Sequence, residues 1–157
     1  MDKAIDFKNI VLVCLDQNFC KKAAEKLAEK LEMFVADCKD YIEYDLVDSK
    51  TVLNLCGGEY LKEREKKALQ AAADFQNTVL SINYDLYHSN YALFNSSLIV
   101  VLHLEKESLG AKETVNKIAF ETHNNFLKDH ANVIVNLDSL KVDSAVKKII
   151  EKLRENL

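Results

Sequence analysis

The apolar positions of this chain switch back and forth between two periods. Asn9 to Cys14 is a continuous run rich in Val, Ile and Leu, the pattern of a strand buried on both faces. Phe19, Ala23, Leu27 and Leu31 then recur four apart, which predicts a helix over Phe19 to Leu31. Met33 to Ala36 reads as a short second strand. Tyr41, Ile42 and Leu46, then Val52, Leu53 and Leu55, suggest short helical pieces. Gly57-Gly58 breaks the chain, and Glu59 to Phe75 reads as a long helix rich in Lys, Glu and Ala. Thr78 to Ile82 is a third strand, Tyr84 to Phe94 an ambiguous stretch read as helical, and Leu98 to Leu104 a fourth strand. A helix or helix pair is expected over Lys112 to Lys128, a fifth strand over Asn132 to Leu137, and an amphipathic helix over Val142 to Leu153.

Strands that alternate with helices imply right-handed crossovers and a mostly parallel sheet. The expected fold class is α/β: three layers, α/β/α, around a five-stranded parallel sheet. No linker or repeat interrupts the 157 residues, so a single domain over 1–157 is expected. In such folds ligands bind at the carboxyl ends of the strands. The loops to search follow Val13, Ala36, Ile82 and Leu102.

Composition narrows the chemistry. The chain has no Pro, three Gly (Gly57, Gly58, Gly110) and two Arg (Arg64, Arg154) against nineteen Lys. Few glycines leave little backbone to cradle a phosphate. Few arginines leave few forks for holding one bidentately. The formal net charge is -4, which argues against nucleic acid as a partner. The apolar runs Ile10 to Leu15 and Leu98 to Leu102 are too short to span a bilayer, and Met1 to Asp6 lacks the apolar core of a signal peptide. A cytoplasmic protein with no membrane partner is expected. Four Cys (Cys14, Cys20, Cys38, Cys56) are then expected as reduced thiols rather than as a disulfide framework.

The first strand-to-helix loop, Cys14-Leu15-Asp16-Gln17-Asn18-Phe19-Cys20-Lys21-Lys22, has the position and length of a phosphate-binding P-loop. It lacks the glycines, the Lys and the Mg²⁺-binding hydroxyl at their places. Other segments carry a specific resemblance. Asn9-Ile10-Val11-Leu12-Val13, Leu27-Ala28-Glu29-Lys30-Leu31, Asp37 with Tyr41-Ile42-Glu43, Gly57 to Glu65, and Ala131 to Asn136 with its closing helix resemble the shikimate kinase family. The likeness is colinear from about Asn9 to Leu153. It implies the P-loop kinase fold of nucleoside-monophosphate kinases. It also implies the family's activity, transfer of the ATP γ-phosphate to a shikimate hydroxyl with Mg²⁺.

Carried over residue by residue, most of that machinery is missing. The P-loop glycines fall at Cys14, Gln17 and Phe19, and the Lys and Mg²⁺-binding Ser at Cys20 and Lys21. A one-residue slip would make Lys21 the lysine but leave Lys22 in place of the hydroxyl. The Asp-Thr-Asp segment becomes Asp37-Cys38-Lys39. The carboxylate-clamping Arg becomes Lys62, which keeps the charge and loses the fork. The Gly-Gly-Gly segment becomes Asn83-Tyr84-Asp85, whose side chains are expected to occupy the substrate space. The lid stretch Glu105 to Glu113 contains no Arg, and the remaining substrate-clamping Arg falls near His123.

Several residues have a bland reading beside a functional one. Asp16 or Asn18 reads first as a helix N-cap and second as a ligand contact. Cys14, Cys20 and Cys38 should share the carboxyl edge of the sheet. Cys20, near a helix start and beside Lys21 and Lys22, is a candidate reactive thiol, although no metal-ligand spacing of Cys and His is present. His88, His103, His123 and His130 are dispersed, and His103 reads as structural. Asp37 is a Mg²⁺ candidate or a surface or capping acid. Tyr84, Tyr87, Tyr91 and Phe94 read as a packing face first and a partner surface second.

The sequence thus implies a shikimate-kinase-like protein without catalysis, expected to bind neither ATP nor Mg²⁺. Its role would be binding or regulation toward a protein partner or a small anionic ligand. The alternative is a kinase-like enzyme whose Lys21, Lys22, Lys39 and Lys62 form a rebuilt anion pocket, and a third class uses Cys20 as a redox thiol. An inactive scaffold predicts that Gln17, Phe19 and Tyr84 fill the former sites. A rebuilt pocket predicts an open cleft with lysines converging on it.

Overall fold

Every residue of strand β1 (Asn9–Cys14) is buried. A strand with no polar face has to be covered on both sides, which places it in the middle of a sheet. In this computed structural model, which describes residues 7–14, 16–46, 54–55, 57–104, 129–137 and 141–156, β1 lies between β3 (Thr78–Asn83) and β4 (Leu98–Leu104). The shorter strands β2 (Phe34–Asp37) and β5 (Val133–Leu137) close the two edges. The order is β2-β3-β1-β4-β5 and all four pairings are parallel. After β3 the chain crosses to the other side of β1 to build β4 and β5. The carboxyl ends of β1, β3 and β4 therefore surround the switch point at which ligands bind in such sheets.

The period-two alternation of β1 sorts two cores. Ile10, Leu12 and Cys14 face α1 (Gln17–Leu31) and α5 (Val142–Asn156), packing with Leu27, Ile149 and Leu153. Val11 and Val13 face the opposite layer of α2 (Cys38–Leu46), α3 (Gly58–Ala73) and α4 (Tyr84–Asn90), with Ile42, Leu69 and Tyr87. A 3₁₀ turn, Tyr91–Phe94, follows α4 and buries Phe94. The stretch read as ambiguous thus divides into two helix types. Asn83 caps its start by accepting the Leu86 N–H at 2.9 Å.

The ends of α1 are set locally. It begins two residues earlier than its apolar stripe, because Asp16 caps it. It ends at Glu32, whose φ of 58° is left-handed. There the Met33 N–H donates to the Ala28 carbonyl at 2.9 Å, the Schellman arrangement that satisfies the last carbonyls. Asn9 fastens the start of β1 to the end of α3, its Nδ2 donating to the carbonyls of Ala73 (3.0 Å) and Phe75 (2.8 Å). The expected helix over Lys112 to Lys128 and the apolar pair Val52-Leu53 lie outside the described residues. Among the described residues no helix is long and apolar enough to cross a membrane.

Tyr87 gives the fold a measurable response to alkali. Burial between the sheet and Phe94 pushes its hydroxyl up to about 12, while a tyrosine in an unfolded chain ionises near 10. The folded state therefore holds this proton longer than the unfolded state does. Its contribution to stability is intact below about pH 10 and is lost between about pH 10 and 12. Denaturant unfolding at pH 9 and pH 11 is expected to show this loss in the parent and a smaller loss in Tyr87→Phe.

Candidate functional site

The β1–α1 loop sits where the sequence placed its would-be phosphate loop, and Asp16 already takes two of the N–H groups that follow it. Asp16 Oδ1 accepts the Phe19 N–H at 2.9 Å, and the Asp16 carbonyl accepts the Cys20 N–H at 2.9 Å. Asp16 is therefore the N-cap, while Asn18 is an exposed residue inside the first turn. Asp16→Ala is expected to cost about 1 kcal/mol, a melting shift of roughly 2–4 °C for a chain of this size, read by thermal denaturation. Phe19 is buried in the α1/α5 core and Gln17 is half-buried.

One expectation about this loop is overturned. Cys14 and Cys20 are joined as a disulfide, with Cα atoms 5.7 Å apart. The helix that starts at Gln17 reverses the chain over the strand end, which brings two residues six apart within bridging reach. Cys38 is a free, buried thiol, raised well above its ordinary range first by desolvation and then by the neighbouring Asp37 charge. All three cysteines share the carboxyl edge of the sheet.

Lys21 points sideways from this loop. Its ammonium forms an ion pair with Asp40 of α2, and that hydrogen-bonded carboxylate holds Lys21 protonated above its ordinary range. Asp37, buried at the end of β2, accepts the Ser81 hydroxyl at 2.5 Å and the Asp40 N–H at 3.1 Å. It is a buried capping acid. These residues, with Glu25, Ala36 and Tyr41, line a cavity of about 340 Å³.

The larger cleft lies beside it, on the α2/α3/α4 side of the sheet, with a volume of about 590 Å³, within the ordinary range for small-molecule sites. Lys39 and Glu43 come from α2, and Lys62, Glu65 and Lys66 from α3. Asn83, Asp85, Ser89 and Asn90 come from the end of β3 and from α4, and Ile42 and Leu86 supply apolar wall. Each helix contributes residues three or four apart, which share one face. Among the described residues no salt bridge ties up Lys39, Lys62 or Lys66. Three ammonium groups and three carboxylates thus line one space beside amide and hydroxyl donors. The set can hold an acidic group on the lysines and ligand hydroxyls on the carboxylates and amides.

Of Asn83-Tyr84-Asp85, expected to occupy the substrate space, Asn83 and Asp85 line this cleft and Tyr84 does not. Tyr84 turns inward to the α2/α3/α4 core, where it is 4% exposed, and stacks on His88. Asn83 folds back to cap α4, and Asp85 stands on the rim. Of the other predicted residues, Lys39 and Lys62 meet at the cleft, Lys21 faces the smaller cavity, and Lys22 lines neither. His123 and the stretch Glu105 to Glu113 lie outside the described residues. His103 is half-buried at the end of β4, with Nδ1 3.1 Å from Asn136 Oδ1. Tyr84, Tyr87 and Phe94 are packing residues, while Tyr91 is 43% exposed against His130. The sequence reading missed Glu65, Lys66, Ser89 and Asn90. Their spacing from Lys62 and Leu86 was the available signal.

No family model matches this sequence, and no curated protein matches it. Solved structures do. Shikimate kinase from Acinetobacter baumannii, in complex with shikimate, is 15% identical, covers 99% of this chain and 98% of its own, and superposes with a TM-score of 0.76. Shikimate kinases from Bacteroides thetaiotaomicron (19% identity, 93% and 98% covered, TM-score 0.73) and Aquifex aeolicus vf5 (14%, 94% and 97%, 0.71) are similar over the same length. The five parallel strands and their flanking helices therefore form a shikimate-kinase-like fold of the P-loop kinase type.

Proposed function

We propose that this chain is a shikimate-kinase-like protein that binds a small polar acid without transferring phosphate to it. The observation that carries this reading is a contrast within one sheet edge. The α2/α3/α4 cleft is open and lined by Lys39, Lys62 and Lys66. The β1–α1 loop has no glycine, the Phe19 N–H in the first turn of α1 is capped by Asp16, and Cys20 and Lys21 stand at the places of the P-loop Lys and Mg²⁺-binding hydroxyl.

A phosphate loop works by offering unpaired N–H groups, an ammonium and a hydroxyl to nucleotide and metal. Here Asp16 places a carboxylate at the positive helix end, which repels phosphate, and Lys21 is held by Asp40. The donor set does not fit Mg²⁺·ATP, so no phosphoryl-transfer step is assigned. In the cleft, the three lysines from two helices attract an acidic group, and Asn83, Ser89 and Asn90 give hydroxyls their partners. The equal number of carboxylates disfavours a ligand that is only anionic. It favours one carrying hydroxyl or amino groups as well, and the shikimate bound in the Acinetobacter baumannii structure is such a hydroxy acid.

Calorimetric titration tests both halves. Shikimate is expected to bind, and Lys62→Ala to weaken that binding at least about tenfold, the loss of one charge-assisted contact. ATP with Mg²⁺ is expected to give no heat up to millimolar concentration. No heat with shikimate overturns the ligand assignment, and micromolar ATP binding overturns the loss of the nucleotide site.

A further inference from the structure

We infer that Cys14 and Cys20 form a reversible dithiol–disulfide couple, a redox modification site that fastens the β1–α1 loop. Three observations carry it. The Cα separation of 5.7 Å lies in the range that a disulfide spans without moving backbone. The bridge joins the last residue of the central strand to the first turn of α1, so it encloses the whole loop from Cys14 to Cys20. The reduced state has a hydrogen-bond acceptor at hand. Cys20 Sγ is 3.2 Å from the Leu12 carbonyl oxygen and 3.7 Å from that of Ile82. A disulfide sulfur has no proton for these acceptors, but when reduction lets the two sulfurs separate to van der Waals distance, the Leu12 carbonyl is an acceptor within reach of the Cys20 thiol. Reduction thus gives the Cys20 thiol an acceptor beside it rather than an unpaired donor in the core.

The exchange balances with a small disulfide such as oxidised glutathione. One cysteine gives up its proton and its thiolate attacks a glutathione sulfur, which breaks the glutathione S–S bond and expels one glutathione thiolate. The second cysteine, also deprotonated, attacks the protein sulfur of the mixed disulfide, forms the Cys14–Cys20 bond and expels the second thiolate. Two protons leave the protein and are taken up by two glutathiones. Two cysteine thiols are oxidised and one small disulfide is reduced, and excess thiol reverses both steps. Cys14 and Cys20 are only 3% and 1% exposed. Exchange therefore proceeds through opening of the first turn of α1, where Asp16 and Asn18 meet solvent. Cys38, a buried free thiol, has no bridging partner among the described residues. This inference stands independently of what the cleft binds.

The test equilibrates the full chain in glutathione buffers of varied ratio, blocks free thiols under denaturing conditions and maps the peptides by mass spectrometry. Both cysteines fall on one tryptic peptide, Asn9 to Lys21, so bridging removes two hydrogens and prevents blocking of either sulfur. The expected result is a bridged fraction that follows the buffer ratio in both directions. Amides of residues 15–20 are expected to exchange with deuterium at least about tenfold more slowly in the bridged form. Cys20→Ser, whose hydroxyl keeps a donor beside Leu12, is expected to fold, to leave Cys14 free for blocking and to show no dependence on the ratio. Three results would overturn the proposal: thiols that stay reduced in oxidised glutathione, bridges that run instead to Cys38 or Cys56, or a bridge that excess dithiol does not reopen in the folded protein.

Discussion

Given ATP, Mg²⁺ and shikimate, the purified protein is expected to turn over at least about a thousandfold more slowly than the roughly 1–100 s⁻¹ of ordinary kinases. The size of this deficit follows from what phosphoryl transfer requires. The protein supplies almost no covalent chemistry, so the rate comes from positioned positive charge and donors around the transferring group. An arginine finger alone accounts for about three to five orders of magnitude, and a single oxyanion donor for about two to three. This chain has two arginines, Arg64 on α3 and Arg154 near the end of α5. Lys21 is bound to Asp40, and a carboxylate caps the helix end where phosphate would lie. The measurement is a coupled assay for ADP, repeated with and without shikimate. Shikimate-dependent turnover near 1 s⁻¹ would sink the reading. Failure of this prediction with an intact calorimetric signal for shikimate would leave the cleft assignment standing.

Leu12→Ala is expected to lower stability by about 3–4 kcal/mol, within the range for buried leucines, and the melting temperature by roughly 6–15 °C. Leu12 is fully buried at the middle of the central strand. It lies opposite Ser81 on β3 and Val100 on β4. It packs in the cluster that holds Leu27 of α1 and Ile149 of α5. Truncation removes apolar burial and leaves a cavity that cannot collapse, because neighbouring strands on both sides hold the backbone in place. Tyr44→Ala is the control. Tyr44 is 84% exposed on α2, and its loss is expected to change stability by no more than about 0.5 kcal/mol. Equal effects of the two substitutions would mean that β1 is not the centre of the sheet.

Legibility in the sequence depended on whether a feature has a local cause. β1 and β4 were readable to the residue, because strands buried on both faces read as near-continuous apolar runs. The amphipathic stripe of α1 was readable, but its first turn was not, since residues 17 and 18 carry no apolar signal and the start is decided by the Asp16 cap. Tyr84 to Phe94 stayed ambiguous because the distinction between α4 and the 3₁₀ turn depends on how Phe94 seats against Tyr87. In the cleft, Lys39 and Lys62 were found by position in a family pattern. Lys66, Ser89 and Asn90 were not, because their membership depends on which faces of α3 and α4 meet. The disulfide went unseen for a similar reason: composition counts cysteines, but only chain reversal at the helix start makes two of them neighbours.

By itself, then, the sequence determined the alternation of strands and helices, a first strand-to-helix loop without glycine, serine or threonine, and the two faces of β1. Those follow from side-chain period and residue chemistry, which act over a few positions. Only the tertiary structure decided the strand order, the inward turn of Tyr84 that leaves the cleft open, the capture of Lys21 by Asp40, and the joining of Cys14 to Cys20. Each depends on the packing of elements distant in sequence or on the direction the chain takes between them, and neither is written in a local pattern.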